Sequence, residues 1–165
     1  MAVNAYAEKS RILTEASNEA RELNEHGYGT ILADGRIQLS MYEATYLQEK
    51  TKIVILNTKA EPIKKRKNKA FWVSYAVYRD LKEKGYIVKT ALKFGGTFRV
   101  YSKGTKPGQA HAKWVVYPAH ESETLTWHEF AAKNRVAHST RKKLLIAIVD
   151  DELGVCYWEA RWLKP

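Results

Sequence analysis

The sequence is poor in the residues on which several protein classes depend. It contains a single cysteine, Cys156, among 165 residues, which excludes an internal disulfide framework and any cysteine-based zinc site. No apolar run approaches the roughly 18–20 residues that a membrane-spanning helix needs. The first residues, Met1-Ala2-Val3-Asn4, lack the basic-then-apolar layout of a secretory signal. We therefore expect a soluble protein of the cytoplasm with no membrane partner.

Acidic residues are also scarce in the second part of the chain, which makes the charge asymmetric. Residues 1–60 carry 7 Lys/Arg and 8 Asp/Glu, whereas residues 61–165 carry 21 and 10, so the excess behind the net charge of +10 lies in the latter part. A basic half beside a neutral half suggests a polyanion partner. The alternative is charge that serves solubility, as in many thermophile proteins. Composition favours a nucleic-acid partner.

The first part of the chain predicts a small α/β domain over residues 1–66. Its expected elements are a helix over 8–25, a hairpin over 28–39 with a turn at Asp34-Gly35, a short helix opened by Ser40 and Glu43, and a strand over 52–57. The helix is predicted from apolar residues spaced three or four apart, and the short helix from capping-box spacing. The polar stretch Lys59–Lys69 predicts a domain boundary, either as a solvated linker or as an RNA contact.

The second part, residues 67–165, predicts a mixed β-sheet flanked by helices, so the fold class is α+β. The expected elements are a helix from Phe71 to Leu81 ending at Gly85, strands at 86–91, 97–101 and 113–118, a helix over 127–134, a buried strand at 144–149 and a strand at 155–162. Gly95-Gly96 separates two of the strands. The aromatic residues of the first helix recur at helical spacing, which favours a core role over base stacking.

Three short segments of the basic half each combine a reactive side chain with turn residues. They are Phe98-Arg99-Val100-Tyr101, His111-Ala112-Lys113-Trp114 and the stretch from His138 to Lys143. Tyr101 and His111 bracket a connection between neighbouring strands, so they can lie at the same end of a sheet. Each residue has another interpretation: Tyr101 as a surface tyrosine, His111 as a loop histidine and Lys142 as a solvated charge.

RNA cleavage by internal transfer needs a base, an acid and a cation that stabilises the charge-rich phosphorane. Histidine suits proton transfer near neutral pH, and lysine supplies a compact charge. Tyrosine, with an ordinary pKa of about 10, is a poor base unless neighbouring cations lower that pKa. Arg99, Lys103 and Lys142 are candidates for such cations. No acidic cluster with metal-ligand spacing occurs in this half, so we expect no metal and no cofactor.

The chain resembles archaeal tRNA-intron endonucleases in three ordered segments, GYIVKTALKFGGTFRVYSKG, HAKWVVYP and RVAHSTRKKLLIAIVDDELG. The resemblance covers residues 70–165 well and reaches the segment GTILADGRIQLSMYEATYLQE more weakly. It implies the catalytic-domain fold of that family, which is restriction-endonuclease-like. It also implies Tyr101 as base, His111 as acid and Lys142 as phosphorane stabiliser, with 2′,3′-cyclic phosphate and 5′-hydroxyl products.

The same resemblance implies further contacts. Arg135 occupies the position of an arginine that clamps an unpaired substrate base in the family, and Trp162 or its rival Arg161 would be the second clamp residue. The alternative for Trp162 is a core tryptophan on a terminal strand. His138 is expected to be structural rather than catalytic.

Assembly is implied as well. Asp150, Asp151 and Glu152 occupy a loop that docks into a basic pocket of a neighbouring subunit in the family, although Asp and Gly also favour an ordinary hairpin turn. The resemblance implies a homotetramer, or a heterotetramer with a non-catalytic subunit.

The expected function is cleavage of precursor tRNA at bulge-helix-bulge RNA. A non-catalytic RNA-binding subunit on the same fold is the alternative, and it would lack the three catalytic residues that are present here. A restriction-like DNA nuclease would require acidic metal ligands.

Overall fold

The computed structural model describes residues 1–8, 11–57, 68–91 and 97–165, in two compact units, Met1–Asn68 and Lys69–Pro165. The predicted boundary over Lys59–Lys69 lies almost wholly outside the described residues, and so does the Gly95-Gly96 separator. None of the helices within the described ranges combines the length and apolar character needed to cross a bilayer. The α+β class is confirmed, because each unit combines helices with a sheet.

The first unit is a five-stranded sheet with two helices. Its elements are β1 (Val3–Glu8), β2 (Arg11–Thr14), α1 (Asn18–Glu25), β3 (Thr30–Ile31), β4 (Ile37–Leu39), α2 (Met41–Glu49) and β5 (Ile53–Ile55), and the strand order is β3-β4-β2-β1-β5. The β3–β4 hairpin and the Ser40–Glu43 capping box are confirmed. The buried Glu43 also accepts the Gly29 N–H at 2.8 Å, so one carboxylate joins the hairpin to the start of α2.

The predicted helix over 8–25 is wrong in its first half. Ile12 and Leu13 lie on β2, which pairs with β1 and β4, and the helix begins only at Asn18 after the N-cap Ser17. The apolar spacing resembled that of a helix because Ile12 and Leu13 are both buried, one on each side of the strand. Pairing with the neighbouring strands β1 and β4 outweighs such a short local pattern.

The second unit has the predicted mixed sheet. Its elements are α3 (Lys69–Glu83), β6 (Ile87–Thr90), β7 (Phe98–Tyr101), β8 (Trp114–His120), α4 (Trp127–Ser139), β9 (Lys143–Val149) and β10 (Val155–Ala160), and the strand order is β10-β9-β8-β7-β6. Strands β8 and β9 are parallel, and α4 provides the crossover connection that a parallel pair needs; the other pairs are antiparallel.

Helix α3 packs on one face of this sheet, and the core lies between them. Tyr75 and Tyr78 of α3 are buried, which confirms their predicted core role, and Tyr78 contacts Phe98 of β7. Side chains alternate between faces along a strand. Arg99 and Tyr101 therefore project from the face opposite to the one that Phe98 uses against α3.

Two predicted boundaries need correction. Helix α4 has the predicted capping box of Thr126 and Glu129, but it continues to Ser139 rather than ending near 134. His138 is therefore helical. Strand β10 ends at Ala160, so Trp162 lies beyond the sheet.

Candidate active site

The second unit contains a pocket that brings the three predicted catalytic residues together. Tyr101, His111 and Lys142 line a cavity of about 290 Å³. The other lining residues are Arg99, Gly108, Gln109, Ala110 and Ala112. The three residues come from separate parts of the chain, so the fold and not sequence proximity places them at one cavity.

Tyr101 is held firmly at the end of β7. It pairs in register with Ile87 of β6, and only 5% of its surface is exposed. Burial limits the motion of the ring, so the phenol stays directed at the pocket. The alternative of a surface tyrosine does not agree with this burial.

His111 is exposed and precedes β8 by a short segment. The loop that leads to it turns at Gly104 and Gly108, whose φ angles of 80° and 92° belong to the left-handed region that glycine adopts without strain. Ala112, directly after the histidine, is buried and anchors the end of the loop. The backbone at His111 is thus anchored, and its imidazole is accessible to solvent.

The backbone of Lys113 aligns all three segments. Its N–H donates to the Val100 carbonyl at 2.8 Å, and its carbonyl accepts the Lys143 N–H at 3.0 Å. Val100 adjoins Tyr101, Lys143 adjoins Lys142, and Lys113 follows His111 by two residues. One residue, Lys113, therefore ties together the segments that carry the three reactive side chains.

Lys142 is placed by the way α4 ends. The Arg141 N–H donates to the His138 carbonyl at 3.0 Å and the Lys142 N–H to the Ala137 carbonyl at 2.8 Å, which is the Schellman pattern. Arg141 has a φ of 56°, a left-handed conformation that costs a non-glycine residue free energy. Such strain persists where the surroundings enforce it. Here it turns the chain so that Lys142 enters the pocket.

The surroundings of Lys142 in the pocket make its ammonium easier to deprotonate. Partial burial lowers the pKa of its ammonium, and the nearby positive charge of Arg99 lowers that pKa further. The ammonium donates to the Thr140 carbonyl at 3.0 Å. Lys142 is therefore a directed cation in a partly dry site, where charge acts more strongly than in bulk water.

The proposed base-clamp residues lie outside the pocket. Arg135 is exposed on α4, one turn before His138. The Trp162 ring packs edge-on against the His138 ring, with centroids 4.4 Å apart, and Trp162 is 55% exposed. The alternative of a core tryptophan on a terminal strand is wrong. The rival Arg161 is held by Glu159 at 2.7 Å.

The loop between β9 and β10 is shaped by its own acidic residues. Oδ1 of Asp150 accepts the N–H groups of Glu152 and Gly154 at 2.9 and 2.7 Å. The exposed Asp151 lies 2.9 Å from Nε2 of the buried His120. Because Nδ1 of His120 accepts the Ser122 N–H, Nε2 is the nitrogen that donates to Asp151.

Two of these residues escaped the sequence analysis. Gln109 lines the pocket although nothing in its local sequence singles it out. His120 meets Asp151 only because β8 and β9 pair in a register that places His120 beside Val149. A lone histidine at a strand end gives no sequence signal for such a contact. In the part of the chain that the structure describes, no three His, Cys, Asp or Glu side chains are grouped as metal ligands are.

Comparison with known protein families matches both units. The model of the tRNA intron endonuclease catalytic C-terminal domain matches residues 71–157, and that of the tRNA intron endonuclease N-terminal domain matches residues 3–67. The first match includes Tyr101, His111 and Lys142.

Individual relatives match over nearly their full length. The tRNA-splicing endonuclease of Pyrococcus furiosus is 38% identical over 98% of this chain and 97% of its own. The tRNA-splicing endonuclease of Nanoarchaeum equitans is 42% identical over 82% of this chain and 94% of its own. That of Methanothermobacter thermautotrophicus is 35% identical over 93% and 94%.

Proposed function

The chain belongs to the tRNA intron endonuclease family, and from this membership we propose that it is a catalytic tRNA-splicing endonuclease that cuts precursor tRNA at its exon–intron junctions. The observation that carries the proposal is the convergence of Tyr101, His111 and Lys142 on one cavity. In this proposal residues 67–165 are the nuclease domain and residues 1–66 an N-terminal α/β domain.

The proposed reaction is an internal transfer at the scissile phosphate. The 2′-oxygen attacks phosphorus, the bond to the 5′-oxygen breaks, and a 2′,3′-cyclic phosphate and a 5′-hydroxyl form. Tyr101 takes the 2′-hydroxyl proton, and Arg99 and Lys142 line the same pocket. His111 gives a proton to the departing 5′-oxygen, and Lys142 stabilises the phosphorane.

The proposed substrate is the bulge-helix-bulge of precursor RNA, recognised by shape. The deep groove of A-form RNA offers side chains little readable sequence, so bulged bases and backbone geometry carry recognition. Arg135 and Trp162 would clamp a bulged base, because guanidinium and indole planes both stack on bases of any sequence. The packing of Trp162 against His138, on the helix that carries Arg135, supports this assignment.

Two junctions on one substrate require two active sites at a fixed separation, so we propose a tetramer, either of this chain alone or with a non-catalytic subunit. The acidic loop of Asp150, Asp151 and Glu152 would dock into a basic pocket of a neighbouring subunit. Asp150 shapes this loop from within, whereas Asp151 and Glu152 are exposed. The latter two therefore supply the docking charge.

The Glu152→Gln substitution, which removes only charge, is expected to weaken subunit association. Loss of one partner of a desolvated charge pair costs about 2 kcal/mol or more, which is roughly a thirtyfold rise in the dissociation constant. Sedimentation velocity over a range of protein concentrations measures this constant. The matched control is Glu22→Gln on the exposed surface of α1, which should assemble as the unaltered chain does. Equal assembly of both variants would remove the loop from the interface.

Cleavage is expected to proceed in EDTA, because the three side chains supply all the charges and proton transfers of the proposed reaction. A bulge-helix-bulge RNA incubated with the purified chain and EDTA should give the same products, at a similar rate, as it does with magnesium. The Lys142→Ala chain, purified in parallel, controls for contaminating nucleases. Complete dependence on magnesium would contradict the mechanism. Inactivity under both conditions would indicate a missing partner subunit.

A further inference from the structure

Arg99 is a second cation of the catalytic pocket, and the roles assigned so far give it no contact with RNA. It lies two residues before Tyr101 on β7, so the two side chains share a face of the sheet. Phe98 and Val100, which alternate with them, are fully buried on the other face. Arg99 and Tyr101 therefore enter the same cavity by the geometry of the strand, and both line it.

The guanidinium of Arg99 is oriented by the neighbouring strand. Its Nε donates to the carbonyl of Thr90 at the end of β6, at 3.3 Å, and its side chain is half-buried. A planar guanidinium with Nε fixed in this way has a defined plane and direction. Less conformational entropy is then lost when the guanidinium binds a ligand.

The electrostatics of the pocket call for an anion between its two cations. The charge of Arg99 acts on Lys142 strongly enough to contribute to the lowered pKa of that ammonium. None of the eight residues that line the described pocket is a carboxylate. An anion placed between two like charges in a partly dry cavity reduces their mutual repulsion. Phosphate fits both cations, since arginine binds its oxygens in pairs and lysine acts as a point charge.

We propose that Arg99 binds the non-bridging oxygens of the scissile phosphate, beside Lys142, and holds the phosphate in line for attack by the 2′-oxygen. This inference rests on the proposed function. It divides the work between the two cations: Arg99 contacts the phosphate already in the bound substrate, whereas Lys142 acts mainly as charge develops in the phosphorane. Arginine suits the first task because its charge does not titrate.

The experiment compares Arg99→Gln and Arg99→Lys with a matched control, Lys89→Gln. Lys89 is the register partner of Arg99 on β6 and does not line the pocket, so its substitution removes the same charge from the neighbouring position. Binding is measured with a bulge-helix-bulge RNA whose scissile nucleotide is 2′-deoxy, so that nothing is cut. The dissociation constant is determined over a range of salt concentrations, and cleavage of the all-ribose RNA is measured in parallel.

Arg99→Gln is expected to weaken binding on the order of 10- to 100-fold, as loss of a charged hydrogen-bonding group does. It should also reduce the slope of log affinity against log salt by about one unit, because one phosphate contact is lost. Arg99→Lys keeps the charge and loses the paired geometry, so it should retain the salt slope and bind with intermediate affinity. Lys89→Gln should change affinity by less than about threefold, since the half-buried Lys89 does not line the pocket.

NMR titrations distinguish phosphate binding by Arg99 from a purely structural role of this residue. Removing a neighbouring positive charge raises the pKa of an ammonium, so the Lys142 side chain should titrate at higher pH in Arg99→Gln, as followed by NMR. Inorganic phosphate, added to the unaltered chain, should shift the side-chain signals of Arg99 and Lys142 together. Arg99→Gln should lose that response.

Wild-type affinity and salt slope in a folded Arg99→Gln chain would overturn the proposal. If Arg99→Gln does not fold, wild-type affinity in Arg99→Lys together with no response of Arg99 to phosphate would overturn it equally. Failure of the unaltered chain to cut any RNA, both alone and with a partner subunit, would count against the proposed function instead. The phosphate titration, which needs no cleavage, would still decide whether Arg99 binds the anion.

Discussion

Replacement of the 2′-hydroxyl by hydrogen at the scissile nucleotide is expected to abolish cleavage while leaving binding intact. In the proposed internal transfer this hydroxyl is the nucleophile, and no group of the pocket replaces it. The proposed clamp by Arg135 and Trp162 and the proposed phosphate contacts do not involve the 2′-oxygen, so affinity should change little. Electrophoresis of end-labelled RNA measures cleavage, and a filter-binding titration of the same RNA measures affinity.

The matched control for this substrate carries the 2′-deoxy nucleotide one position away from each junction. That RNA should be cut at a rate close to that of the all-ribose molecule, which excludes a general change of helix geometry. Continued cleavage of the RNA with deoxy at the junction itself would rule out internal transfer. It would then require water as the nucleophile, and the assignment of Tyr101 would fall with it.

The His111→Ala substitution is expected to lower the single-turnover cleavage rate on the order of 10²–10⁴-fold, the usual contribution of a general acid. This corresponds to roughly 2.7–5.4 kcal/mol of transition-state stabilisation. The imidazole is exposed at the pocket and its removal leaves the buried neighbour Ala112 in place, so we expect normal folding. The thermal unfolding midpoint should therefore stay near that of the unaltered chain.

A substrate with sulfur in place of the 5′-oxygen tests which proton transfer His111 performs. Sulfur departs as a thiolate without protonation, so the substituted and unaltered chains should cut this RNA at similar rates. The matched protein control is His128→Ala, which removes an exposed histidine from α4. A full defect of His111→Ala on the sulfur substrate would indicate that this histidine is not the acid.

The sequence predicted those elements of the fold whose signals are local and strong. The capping boxes at Ser40 and Thr126, the core stripe of α3 and the apolar strand β9 are all present. Strand β2 was missed because a four-residue strand carries too little periodicity to be distinguished from a helix. Its conformation depends on pairing with β1 and β4, and local propensity does not report such pairing.

The sequence identified some residues of the site but not others. The resemblance in three ordered segments selected Tyr101, His111 and Lys142, and the structure places them at one cavity. The involvement of Arg99 as a pocket residue follows from two-residue spacing once β7 is known to be a strand. The contact of His120 with Asp151 depends on the register of a parallel strand pair, and the position of Trp162 depends on packing beyond the end of β10. Neither of these two features can be recognised from the local sequence.

The backbone hydrogen bonds of Lys113 determine when the pocket can form during synthesis of the chain. The hydrogen bond from the Lys143 N–H to the Lys113 carbonyl forms only when β9 has paired with β8. Until then Tyr101 and His111 are present in the chain but Lys142 has no fixed position beside them. A nascent chain emerges from the ribosome surrounded by RNA, and until β9 has been made and paired this one carries no complete pocket.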